Sequence, residues 1–215
     1  MHIPDGFLDM KTWATLDIAA AAVVAVSSAK VSKESRERAV PLMGITAAFV
    51  FAAQMLNFPI AGGTSGHFIG GVLAAALLGP WAGCVVLTGV LIVQSLVFQD
   101  GGVLALGANV VNMSIVGSMG GYLVYRVITA VIKGKTGLLV GGFAAGWLSV
   151  VAASVACAAE LAISGTVPLT VGLPAMVGIH AVIGIGEGVI TALALGLILS
   201  ARPELIPRYQ MEIRE

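Results

Sequence analysis

Thr170–Ser200 reads TVGLPAMVGIHAVIGIGEGVITALALGLILS, and within it only His180 and Glu187 can carry charge. A helix crosses the hydrocarbon of a bilayer with about 20 predominantly apolar residues. This run is longer, so as a helix it tilts or passes beyond the membrane. Working back toward the N-terminus, six more apolar segments occur: Trp13–Ala29, Ala39–Leu56, His67–Leu78, Trp81–Phe98, Leu104–Ile128 and Leu138–Ile163. His67–Leu78 is short and is expected to start below the membrane surface, which suits a recessed site. The sequence predicts an all-α polytopic membrane protein. It is a seven-transmembrane-helix bundle forming a single domain over residues 1–215, without internal repeats.

Composition agrees. Of 215 residues, 58% are hydrophobic and 10% charged, with a mean hydropathy of +1.01. Soluble domains carry about 25% charged residues; here they are too few to cover a globule, so the apolar surface faces lipid. Eleven basic and eleven acidic side chains give a formal net charge of zero, which offers no basic face for nucleic acid. Cys84 and Cys157 lie inside apolar runs and read as small buried residues, not as a disulfide or thiolate cluster.

Orientation follows from the cations. Lys30, Lys33, Arg36 and Arg38 crowd the link after the first segment; Arg126, Lys133 and Lys135 lie between the fifth and sixth; Arg202, Arg208 and Arg214 follow the seventh. With seven crossings these regions share one side, which the positive-inside rule makes cytoplasmic. The N-terminus is therefore expected outside the cell and the C-terminus in the cytoplasm. Small residues four apart (Gly117/Gly121, Gly142/Gly146, Gly184/Gly188) let helices approach closely in lipid.

Of the three histidines, His2 and His67 fall on the outer side. The chain start lacks the basic-then-apolar pattern of a signal peptide, and Met1 followed by bulky His2 is expected to be retained. A histidine at position two has a particular property. Its Nδ1, its own amide nitrogen and the Met1 α-amine can close two fused chelate rings on one cation, provided the amide loses its proton. Nickel(II) and copper(II) promote that loss and accept tetragonal nitrogen geometry; zinc prefers a tetrahedron and magnesium or calcium prefer oxygen. His67 could supply a fourth nitrogen. It follows Ala61-Gly62-Gly63-Thr64-Ser65-Gly66, a tight turn in which Thr64 or Ser65 could cap the third helix. On position alone, His2 could equally be solvated and His67 could simply bond its neighbours.

At these residues the sequence resembles a known family. Met1-His2-Ile3-Pro4-Asp5-Gly6-Phe7 is similar to the N-terminal signature of the NikM/CbiM family, the nickel/cobalt substrate-binding subunits of energy-coupling factor transporters. Ser65-Gly66-His67-Phe68-Ile69-Gly70-Gly71, Phe98-Gln99-Asp100-Gly101-Gly102, Leu106-Gly107-Ala108-Asn109 and the stretch His180 to Glu187 match in order. The resemblance spans essentially the whole chain. It implies a multi-pass protein of the prokaryotic cell membrane, with Ni2+ or Co2+ held as cargo by the Met1 amine, the His2 amide and imidazole, and His67. It also implies partners: a transmembrane coupling subunit of the EcfT, NikQ or CbiQ type, cytoplasmic ABC ATPases, and a small accessory membrane subunit. Some relatives carry that accessory part at the C-terminus; with the chain ending at Glu215, a separate helper is expected.

The residues exclude in-chain ATP hydrolysis. Gly134-Lys135-Thr136 resembles the end of a phosphate-binding loop, yet Thr129 stands where that motif needs glycine. Ionisable groups inside spans are costly and invite functional hypotheses. His180 and Glu187 share a helical face and could pair through neighbours, line the site or serve a partner. Glu160 is expected near the outer end of the sixth span, within reach of water. Asn57, Gln94, Asn109 and Asn112 could orient the ligands or hold loops over the cation, and Asp100 could attract cations or hold a lid closed. The expected role is metal capture for ATP-driven import, not enzymatic catalysis. Nickel is favoured by the planar nitrogen set, with cobalt as the alternative. A stand-alone proton-coupled transporter using His180 and Glu187 is the rival of a different class. An intramembrane metalloenzyme would need an open metal position beside a general base.

Overall fold

The computed structural model describes residues 1–33, 36–60 and 64–212. Ala61-Gly62-Gly63 of the predicted turn and Arg214 of the basic tail lie outside the described residues. Helix α1 (Met10–Lys33) starts where Asp9 Oδ1 accepts the Lys11 and Thr12 amides at 2.9 and 3.2 Å, an acidic cap on otherwise unpaired donors. Helix α2 (Arg36–Gln54), which carries Pro41 in its interior, ends shortly before Pro59. The chain there forms the antiparallel strands β1 (Phe58–Ile60) and β2 (Thr64–Gly66), with Phe58 opposite Gly66. This hairpin is an addition to the all-helical expectation.

Helix α3 (Gly71–Leu78) and helix α4 (Pro80–Val97) follow, α4 opening on a proline in its first turn. The next helical rod has three parts: α5 (Leu106–Val110), a π-helical stretch Val111–Gly120, and α6 (Gly121–Val131). Long helices α7 (Gly134–Ile163) and α8 (Leu169–Ala201), a short turn Pro203–Leu205 and α9 (Pro207–Glu212) complete the order.

Each of the seven apolar segments contains a helix, but five helical rods among the described residues are long and apolar enough to cross a membrane: α1, α4, the rod Leu106–Val131, α7 and α8. Helix α2 contributes the shorter apolar stretch Val40–Gln54. Helix α3 has eight residues, about 12 Å at 1.5 Å per residue, so it cannot cross alone. Helix α8 has 33 residues, about 50 Å, and overshoots the hydrocarbon as expected.

Two sequence expectations need correction. His67 does not open the third helix: α3 starts at Gly71, after the non-helical segment His67–Gly70. Thr64 and Ser65 do not cap it, because both belong to β2; the cap position is Gly70, at φ 72 and without a side-chain bond. Glu160 lies near the end of α7 as expected, largely buried at 7% exposure, with its Oε2 accepting Asn112 Nδ2 at 2.7 Å.

Close helix contacts run along α7 and α8. A Cβ on Gly146 would stand 3.2 Å from Gly188 Cα, so bare backbones meet there as the spacing predicts. Outward faces are apolar, with Val182 and Leu197 each 70% exposed. Among the buried residues, one cluster joins Met1 and Ile3 to Val50, Ile69, Leu91, Met113, Val150, Cys157 and Met176. A second joins Val72, Tyr125, Leu138, Leu195 and Ile206. The first residues of the chain are therefore core residues.

Candidate metal centre

The chain start is folded into the bundle and tied there by main-chain bonds. Met1 and Ile3 are 0% exposed and His2 3%. Asn109 grips Ile3 on both sides: its Oδ1 accepts the Ile3 amide at 2.8 Å and its Nδ2 donates to the Ile3 carbonyl at 3.2 Å. That carbonyl also accepts the Gly102 amide at 2.8 Å. Gly101, at φ 92, lets the loop close over the start; a Cβ there would lie 3.0 Å from Asn109 Nδ2 and 3.4 Å from the His2 ring. Two carboxylates anchor the neighbouring backbone. Asp5 accepts the Val103, Leu104 and Ala105 amides at 3.1, 2.8 and 3.3 Å. Asp17 of α1 accepts the Gly107 amide at 2.7 Å. Thr166 donates to the Phe7 carbonyl.

His67 arrives from another direction. Between Gly66 and α3, the Gln54 amide donates to the Ile69 carbonyl at 2.8 Å, and Glu187 of α8 accepts the Ile69 and Gly70 amides at 3.0 and 2.8 Å. His67 Nδ1 lies 2.7 Å from the Phe68 carbonyl. That carbonyl can only accept, so Nδ1 carries the proton and Nε2 keeps its lone pair. Nε2 is buried with no hydrogen-bond partner among the described residues.

The two segments meet ring on ring. The His2 and His67 imidazoles stack with centroids 4.4 Å apart and planes 19° from parallel. Burial lowers the pKa of the Met1 amine to about 5, and lowers that of both imidazoles. The result is a dry cluster of neutral nitrogen donors. His2 Nδ1 sits 2.9 Å from Asp100 Oδ1. Burial pushes the Asp100 carboxyl up, but the hydrogen bond from His2 leads the effects that outweigh it, and its pKa falls. Asn57 reaches Asp100 as well. Gln94 is buried beside His2, although neither of its amide atoms completes a hydrogen bond among the described residues.

Met1, His2, His67, Gln94, Asp100 and Asn109 are thus brought together, with Asn57 at the rim. His180 is fully buried on α8. Its Nδ1 is 2.7 Å from the Met176 carbonyl and its Nε2 has no hydrogen-bond partner among the described residues. Among the described residues, no group of three His, Cys, Asp or Glu side chains is placed to hold an ion. A cation here would have to draw on main-chain nitrogen. Sequence reasoning passed over Asp5, Asp17 and Gln54. Asp17 carried a signal, being a carboxylate inside an apolar segment; Gln54 carried a fainter one.

Residues 2–205 match the family described as cobalt uptake substrate-specific transmembrane region, CbiM. The chain is similar to an Archaeoglobus fulgidus protein given the provisional name fused nickel transport protein NikMN. They are 45% identical over 208 residues, which is 96% of this chain and 68% of that protein. It is also similar to the cobalt transport protein CbiM of Sorangium cellulosum, 32% identical over 220 residues, covering 98% of this chain and 96% of that one. A crystal structure of a truncated transition metal transporter superposes with a TM-score of 0.88 at 38% identity, covering 94% of this chain and 99% of that one. The chain therefore belongs to the CbiM family and is a multi-pass membrane transport protein of nickel/cobalt uptake, not an enzyme.

Proposed function

We propose that this chain captures Ni2+ at the outer face of the membrane for an ATP-driven importer. The Met1 amine, the deprotonated His2 amide, His2 Nδ1 and His67 Nε2 form a planar set of four nitrogens. The observation that carries this reading is the burial of the first two residues against His67, with the two imidazoles stacked and the His67 Nε2 lone pair available. His2 Nδ1 has to turn from Asp100 to the cation. Asp100 then remains beside a centre whose charge, a divalent ion less one amide proton, its carboxylate offsets. Planar nitrogen favours nickel over cobalt, which takes higher coordination more readily.

The basic clusters of the sequence support an outer N-terminus and an inner C-terminus. Family membership supports a transmembrane coupling subunit, cytoplasmic ABC ATPases and an accessory membrane subunit as partners. A crystal grown with both metals, with anomalous data at the nickel and cobalt edges, tests the site and the choice together. Nickel signal at the Met1, His2 and His67 nitrogens is the expected result; an ion elsewhere, or cobalt in preference, overturns it.

The proton count provides a second test. At pH 7 the amine and both imidazoles are already neutral, so binding is expected to release about one proton, that of the amide. Below about pH 5 the amine is protonated too, and affinity should fall more steeply as acid is added. Calorimetry in buffers of different ionisation enthalpy measures the count; release of no proton at pH 7 would remove the amide from the ligand set.

A further inference from the structure

We propose that Glu187 is a positioning residue for the cargo: its carboxylate fastens the His67 segment to helix α8 and so sets where the imidazole stands. This inference rests on the reading above that His67 is a ligand. In sequence, His67 precedes α3 and looks like part of it. In the fold, the segment His67–Gly70 is instead fastened to α8. Glu187 takes the Ile69 amide on one oxygen and the Gly70 amide on the other, at 3.0 and 2.8 Å. One residue back, the Phe68 ring lies on the bare face of Gly186, where a Cβ would be 2.9 Å from Phe68 Cε1. The segment therefore straddles α8, ring on one side and amides on the other. Gln54 of α2 holds the Ile69 carbonyl from the opposite direction.

The chain start has bonds of its own: Ile3 is held by Gly102 and by Asn109 of α5. A carboxylate buried in a span is costly, and two charge-assisted amide bonds offset that cost. The same two bonds fix the position of the imidazole.

The test is nickel binding by the purified full chain, with Glu187→Gln, Glu160→Gln and His67→Ala compared with the unmodified protein. In E187Q, one amide oxygen can still accept, but the new NH2 faces a second donor, so His67 is loosened without being removed. Affinity is expected to fall by about 10–100-fold, as for the loss of other groups that orient a ligating histidine. The nickel absorption band at saturation should be retained, because the ligands are the same. E160Q alters another buried carboxylate, one bonded to Asn112, and should leave affinity unchanged. Should E187Q not fold, Gln54→Ala removes the other side-chain anchor and carries the same expectation. Unchanged affinity in the variant that folds, or an equal loss in E160Q, overturns the proposal. The His67→Ala result separates the two levels. Full binding in H67A means His67 is not a ligand, and the capture reading fails. Loss in H67A with full binding in E187Q means the capture reading stands and the α8 support does not.

Discussion

Placing one residue before Met1 is expected to abolish tight nickel binding while leaving the helices folded. The added residue turns the α-amine into a peptide nitrogen and carries the new amine one position away from His2, so the amine and the His2 amide no longer share a five-membered ring. A chelate through the new amine would need a second amide to lose its proton and would leave His67 no place in the plane. Losing a terminal donor and its ring costs about 4 kcal/mol or more, on the order of a thousandfold in affinity. Sterics act in the same direction. Met1 is 0% exposed and belongs to an apolar cluster with Leu91, Met113 and Cys157, so an added residue must displace core side chains or push the start outward. Fold survives because the long helices make their contacts without residue 1, above all α7 with α8. Isothermal titration with nickel reads the binding and circular dichroism on heating reads the fold. An extended chain that binds like the original would sink the terminal chelate.

Much of this arrangement could be read from the sequence, for identifiable physical reasons. The long apolar runs had to be helices, since in lipid a backbone must satisfy its own hydrogen bonds, and Thr170–Ser200 accordingly falls within α8. His2 and His67 could be linked because a histidine at position two offers three chain-start nitrogens and leaves a fourth planar place open. What could not be read depended on which backbone groups need outside partners. Pattern and spacing count side chains, whereas Asp5, Asp17, Gln54 and Glu187 bond to amides and carbonyls of loops. For that reason His67 was attached to α3, its neighbour in sequence, instead of to α8. For Glu160, distance from the helix end is legible in the sequence, whereas its partner Asn112 is not. The eight residues of α3 show the same limit: hydropathy marks an apolar stretch but cannot say that Gly70 starts the helix late.

Asn109→Leu is expected to weaken nickel binding by about 30–1,000-fold, a loss of roughly 2–4 kcal/mol, although Asn109 touches the cation in no version of the site. Leucine is close in size but makes neither bond to Ile3. The Ile3 carbonyl keeps its bond from Gly102; the Ile3 amide, on a residue that is 0% exposed, is left without its acceptor. An unmet buried donor costs about 1–3 kcal/mol, and the lost second bond adds about 1. That cost falls on the docked form of the start and not on the undocked form, so the population ready to bind shrinks by the same factor, and apparent affinity shrinks with it. Two measurements distinguish this from a change in the ligands themselves. Aminopeptidase should trim the cation-free variant faster than the cation-free parent, and saturating nickel should restore protection together with the absorption band of the parent. If N109L resists the protease and binds as tightly as the original, the start is held by its apolar contacts alone. The amide clasp on Ile3 would then contribute nothing to keeping the site formed before the ion arrives.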